Sequence, residues 1–418
     1  MEQKKRILLI TTRLFSPADS GRKYLLSNYC KGLNQKYGYD IYQYSFLESG
    51  QTPDDVEKQP DMVKEIVLAE KLSLIEKMLN LFKLSLFGKK LPLQCALFYS
   101  KRNERKIKSM IERIKPDAVY VELLRLAPYY DTIKETEAIK ILDMCDLFSN
   151  NYKRQIENIQ ENSEVNGNYK LPKIISKLIN LVFFRKLILK YEIKRLIIHE
   201  KKFALLFDKT ILVSSKETQI LNEIVGTKKA HCVTMGSDIK TEDIEIKKAE
   251  NAIVFLGNMY YNANADSLHI LINKILPLVK TNYILNIIGK CPEEIKERYN
   301  SREDIVFSGY ADSLYKAVKE NSLCVFPFAY GSGIKTKIIE SMAMRMPIIT
   351  NSIGIEGIDV INSEHIIVED DYSNFANRID ELLNDKNKAD ALGSNALKLI
   401  EEKYQWDHIW EEFGEMGL

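Results

Sequence analysis

What most constrains this chain is a series of short apolar runs that each reach a glycine. Residues 252–256 precede Gly257, 283–288 precede Gly289, 305–307 precede Gly309, and 325–328 lead to Gly331. Short runs that are apolar throughout fit strands buried on both faces, and such strands belong to parallel sheets covered by helices. The last run passes through Gly331-Ser332-Gly333 into helical spacing over about 334–345, which Pro347 closes. Near the N-terminus the run 7–10 leads through a loop over 15–22 into a helix with Leu25, Leu26, Tyr29 and Leu33 on its apolar face. Strand, glycine-containing loop and helix make the opening unit of a doubly wound domain. Further strands are expected at 118–122, 139–142, 208–214 and 232–235, and 418 residues suffice for two α/β domains.

Polar chemistry concentrates at 331–340. A glycine turn before a helix presents backbone N–H groups at the positive end of the helix dipole and can seat a diphosphate. At helical spacing Gly333, Thr336, Lys337 and Glu340 share one face, while Ile334, Ile338 and Met342 share the other and pack. Lys335 is two positions from Lys337, about 200° around the helix, and so points away from that face. On spacing alone, a lysine and a glutamate three apart read equally well as a solvated helix pair.

In order, the stretch resembles the nucleotide-sugar site of retaining GT-B glycosyltransferases of family 4, in the branch found in bacterial exopolysaccharide pathways. The resemblance implies an α/β fold of GT-B type, two doubly wound Rossmann-like domains facing across a cleft. It implies a retaining, metal-independent transferase without a cofactor, moving a sugar from a nucleotide-sugar donor to a saccharide or lipid-linked acceptor. Gly331, Ser332 and Gly333 would meet the diphosphate with Lys335 and Thr336 beside them. Lys337 would neutralise it as the catalytic cation, and Glu340 would hold the ribose hydroxyls. Gly21 and Gly257 match cleft-facing glycines, and Tyr310 lies in the loop that resembles the family's base-contacting loop. Where the family often has a second glutamate, this chain has Ser332; where it often has an arginine and a lysine after Gly257, this chain has residues 258–262, Asn-Met-Tyr-Tyr-Asn. Neutralisation then falls on Lys337 and the helix dipole.

Asp146 follows the 139–142 strand, where α/β folds place ligands, and reads either as a catalytic polar group at the acceptor hydroxyl or as a cap of the next helix. Arg22 reads either as a binding residue or as part of an ordinary turn. The expected domains are 1–245 for the acceptor, with 401–418 crossing back, and 246–400 for the donor. The polar run 240–251 would link them, and a final helix over 404–413 would carry Trp406 and Trp410.

A net charge of +2 gives no reason to expect a nucleic-acid partner. Six scattered cysteines without a C-x-x-C pair and five scattered histidines point to reduced thiols and no structural metal. The run 7–10 is too short for a signal core, and no segment reaches the ~18 uninterrupted apolar residues of a membrane span, so a cytoplasmic location is expected. Residues 169–203 carry ten Lys or Arg against Glu192 and Glu200, interleaved with apolar residues. That pattern suits either an anionic membrane surface or a helix pair with a wet basic face. Two other functions remain open: a nucleotide-sugar epimerase of the same fold, and a non-catalytic two-domain nucleotide- or sugar-binding protein.

Overall fold

The computed structural model describes residues 4–18, 20–88, 90–157, 182–239, 246, 249–311, 313–331 and 333–418. The chain divides into two units, Met1–Thr234 with Ile409–Leu418, and Met235–His408. The sequence placed these divisions at 245/246 and 400/401. The linker residues 240–245, 247 and 248, the first part of the basic segment, 169–181, and Ser332 lie outside the described residues, while 182–203 belong to the helix Val182–Leu206.

The first unit holds β1 (Arg6–Thr11), β2 (Asp40–Ser45), β3 (Val63–Leu68), β4 (Ala118–Glu122), β5 (Ile139–Cys145), β6 (Lys209–Leu212) and β7 (Ala230–Cys232). Its parallel sheet has the order β3-β2-β1-β4-β5-β6-β7. The second unit holds β8 (Ala252–Leu256), β9 (Ile284–Ile288), β10 (Ile305–Gly309), β11 (Leu323–Phe326), β12 (Ile348–Thr350) and β13 (Ile367–Val368), in the order β10-β9-β8-β11-β12-β13. Every strand pair in both sheets is parallel. Both are doubly wound, Rossmann-like sheets. In each, strand order reverses once, at β1/β4 and at β8/β11, and folds of this class bind ligands outside the strand ends at that point.

Several elements differ from the sequence reading. β11 ends at Phe326, two residues before the expected 328, because Gly331 (φ 144°) and Gly333 (φ 66°) already demand a turn. β7 covers Ala230–Cys232 where 232–235 was expected. The strand β3 lies within a stretch that reads as polar and charged. It is the edge strand and mostly part-exposed, so Lys64 and Glu65 interrupt its apolar pattern at no burial cost. Beyond β3 an α-helix, Leu74–Asn80, is continued by a π-helical turn, Leu81–Leu86. The last helix is Trp406–Glu415. The Trp410 indole donates to the Asn28 carbonyl at 2.9 Å and fills the space that a side chain at Gly32 would need, so it packs within the first unit.

Candidate functional site

The helix after β11 is shorter than expected, Thr336–Ala343. Lys335 is its N-cap residue, extended at φ −89° and ψ 96°, and supplies no side-chain cap. At the other end Arg345 turns left-handed (φ 54°) and the Met346 amide bonds the Ser341 carbonyl at 3.0 Å, so the helix is closed before Pro347 is reached. The buried face is as expected, with Ile338 and Met342 fully enclosed. Two bonds fix the glycine turn to the helix Asn262–Ile270: the Ala329 amide donates to Ser267 Oγ at 3.0 Å, and Tyr330 Oη donates to Asp266 at 2.8 Å.

Lys337 reaches back to the switch point. Its ammonium donates to the Leu256 carbonyl at 2.6 Å and to Asn264 Oδ1 at 2.8 Å. It lies 5.1 Å, 5.6 Å and 5.4 Å from the ring centres of Phe255, Phe326 and Phe328. Burial pushes this lysine down to about 7, against the attraction of Glu340 and with the repulsion of Lys335. Burial likewise pushes Glu340 up to about 7; Lys337 opposes this and Asp238 adds to it. Both side chains keep partial solvent access.

The expectation that Lys335 faces away from Lys337 is corrected. Because the helix begins only at Thr336, the 200° offset does not apply. The Lys335 ammonium donates to the Gly333 carbonyl at 2.6 Å and lies 5.8 Å from the Phe328 ring centre, so both lysines flank one aromatic ring beside the glycine turn.

Gly257 directly follows β8. A Cβ there would stand 2.9 Å from the Lys337 ammonium nitrogen and 3.0 Å from the Asn264 side chain. Gly257→Ala is therefore expected to push the Lys337 ammonium off the Leu256 carbonyl, which a crystal structure of the variant would show, while the melting temperature moves by only a few degrees. The loop 351–357 also closes on this region, since Asn351 Nδ2 donates to the Phe328 carbonyl at 2.7 Å and Gly354 abuts the Phe328 ring. Tyr310 stands at the end of β10 with 79% of its surface exposed. Sequence reasoning missed Asn264, the three phenylalanines and Asp238. The phenylalanines end β8 and β11 or follow β11, but nothing in the sequence says that those two strands are neighbours.

In the first unit, Arg22 is neither an ordinary turn residue nor an exposed one. The helix Gly21–Gln35 begins at Gly21, and Arg22 in its first turn bonds Glu122 at 3.1 Å and Asp143 at 2.5 Å. Both carboxylates are fully buried at the ends of β4 and β5. Thr12 donates to Glu122 through its amide at 2.6 Å and its hydroxyl at 2.7 Å, Arg13 adds an ion pair at 3.4 Å, and Tyr120 donates to Asp143. Burial alone would lower the Arg22 pKa; the charges of Asp143 and Glu122 hold it well above its ordinary value. Arg22 Nη1 is buried without an acceptor among the described residues. Asp146 follows the left-handed Cys145 (φ 63°), whose amide bonds Asp143 at 2.8 Å. At the start of the helix Phe148–Glu157, the amides of Leu147 and Ser149 donate to Glu217 at 3.1 Å and Glu200 at 2.9 Å, so carboxylates from other helices do the capping there.

Residues 250–385 match the family model for glycosyl transferases, group 1. The second unit thus carries a group 1 glycosyltransferase domain. The chain is 31% identical over 99 residues to the capsular polysaccharide biosynthesis glycosyltransferase CapM of Staphylococcus aureus, covering 23% of this chain and 26% of that one. It is 24% identical over 233 residues to an uncharacterized 44.6 kDa protein in the cps region of Klebsiella pneumoniae, covering 53% and 59%. The chain thus spans less than two thirds of either relative. Sucrose-phosphate synthase from Thermosynechococcus elongatus shares the fold at TM-score 0.67 and 16% identity, over 99% of this chain and 98% of that one. Anabaena HepE, solved in complex with UDP, shares it at TM-score 0.67 and 13% identity, over 98% of each. These likenesses establish the GT-B fold class.

Proposed function

We propose that this protein is a retaining, metal-independent glycosyltransferase of family 4. It moves a sugar from a nucleotide-sugar donor to a saccharide or lipid-linked acceptor in surface polysaccharide synthesis, at the cytoplasmic side. The observation that carries the reading is the placement of a glycine turn, a helix start and two lysines at the β8/β11 switch point of the group 1 domain. Departure of a nucleoside diphosphate builds negative charge on its terminal phosphate. Fixed cations and amides aimed at that charge stabilise the transition state more than the ground state. Lys337 and Lys335 are the cations, the start of the helix supplies the amides, and Glu340 accepts from the ribose hydroxyls. Arg22 Nη1 and Asp146 are the polar groups offered to the acceptor. HepE is solved with UDP, so UDP is the first nucleotide to test. Anomer analysis of the product by NMR, in the presence of EDTA, tests retention and metal independence together.

The pair of groups titrating near neutrality makes a sharper test. A diphosphate needs Lys337 as an ammonium, and ribose hydroxyls need Glu340 as a carboxylate. In the free protein burial puts both near 7. Affinity for UDP should therefore fall as pH rises above 7 and Lys337 loses its proton, and fall as pH drops below 7 and Glu340 gains one. Calorimetry from pH 5.5 to 8.5 should trace a bell with its maximum near 7. Glu340→Gln should weaken binding about tenfold, the loss of one charge-assisted hydrogen bond, and remove the acid limb. A flat profile in the wild type would detach these residues from the nucleotide.

A further inference from the structure

The helix Leu74–Asn80 and its continuation Leu81–Leu86 are built inside out. On a surface helix the apolar stripe normally faces the core and the polar residues face water. Here the polar side chains hold the element to the body of the protein. Asn80 Nδ2 donates to the carbonyls of Ala96 at 3.1 Å and Tyr99 at 2.7 Å. Ser85 is fully buried, donates to the Leu91 carbonyl at 2.7 Å, and its own carbonyl accepts from Tyr191 at 2.9 Å. The large apolar residues point out: Leu74, Ile75, Met78, Leu79, Phe82, Leu86 and Phe87 are between 45% and 81% exposed. Their spacing makes one continuous stripe, ending in Phe82 and Phe87 stacked at 6.5 Å and 9°. A patch of this kind on a protein surface marks an interaction site.

Charge selects the partner. Residues 71–90 contain five lysines and one glutamate, a net +4. Lys71, Lys83 and Lys90 are exposed. The single acid, Glu76, is taken up by the Ser73 amide at 2.8 Å and by Arg102 at 2.6 Å. A leucine- and phenylalanine-rich stripe edged by lysines matches the boundary between acyl chains and anionic headgroups. A second copy of the same chain is a poorer fit, since a two-fold contact through this stripe sets lysines against their own equivalents. We propose that residues 74–87 form a membrane-docking element that lies in the surface of an anionic bilayer. The proposal rests on this patch alone and does not depend on the glycosyltransferase reading.

Sedimentation of the full chain with phosphatidylglycerol vesicles, phosphatidylcholine vesicles and no vesicles tests it, at 50 and 500 mM salt. The wild type should pellet with the anionic vesicles, at least tenfold less with the neutral ones, and less at high salt as screening grows. The triple variant Ile75→Ser, Phe82→Ser, Phe87→Ser should lose at least tenfold in binding with its melting temperature unchanged, because all three side chains are exposed. As an independent readout, Phe87→Trp should show a blue-shifted emission component on adding anionic vesicles. Wild type that stays in the supernatant overturns the proposal, as does a triple variant that binds equally well. A concentration-dependent dimer that the triple variant dissolves, without vesicle binding by either protein, assigns the stripe to a second copy instead.

Discussion

Arg22→Met should destabilise the first unit by about 3–5 kcal/mol, because it leaves two buried carboxylates without their shared cation. Glu122 and Asp143 have no solvent exposure, and among the described residues Arg22 is the one group that bonds both. Urea unfolding followed by circular dichroism would register the loss in the transition of that unit. The double variant Arg22→Met, Glu122→Gln should recover part of it by removing one of the stranded charges. The sign with pH is also set. Neighbouring cations, against the effect of burial, hold the Glu122 carboxyl below its ordinary range. Its contribution is present above that range and lost as pH falls. The gap between wild type and variant should therefore narrow toward acid, and an unchanged midpoint at pH 7 would show that the cluster does not need its arginine.

Lys337→Ala should lower turnover by about 10²–10³-fold, the scale of removing one fixed charge or donor aimed at developing negative charge. The free ammonium sits on the Leu256 carbonyl and among three aromatic rings, so a phosphate must outcompete a neutral carbonyl for it. Lys335→Ala should lower turnover less, by about tenfold, because its ammonium is tied to the turn's own Gly333 carbonyl and must rotate to reach a ligand. Since both lysines flank Phe328, their effects should not add in the double variant. Single-turnover kinetics with saturating donor would separate these losses from changes in binding. A wild-type rate for Lys335→Ala would restore the view that only one lysine faces the site.

The location of the candidate site was legible because a glycine turn between a buried strand and a helix leaves a recognisable string of residues. The β8 and β4 boundaries were legible for a similar reason: strands buried on both faces read as apolar runs, unbroken over 252–256 and interrupted over 118–122 only by the terminal Glu122, and both match the structure to the residue. The edge strand β3 was not legible, because an exposed edge tolerates lysine and glutamate that erase the run.

The sequence by itself determined the α/β class, the two parallel sheets and the residues of the turn, since burial pattern and glycine placement are local properties of the chain. Which groups meet was decided only by tertiary structure. Strand order put Leu256 beside Phe326, and so gave Lys337 its carbonyl and its ring of phenylalanines. The same order brought Arg22 to Glu122 and Asp143, residues separated by 100 and 121 positions. Even Lys335 escaped local reasoning, because two left-handed glycines and an extended N-cap delayed the helix and turned a residue predicted to face away into a neighbour of the site. Parallel strands joined by long crossovers bring together residues distant in sequence, and the charges they carry acquire partners and shifted pKa values only once that topology exists.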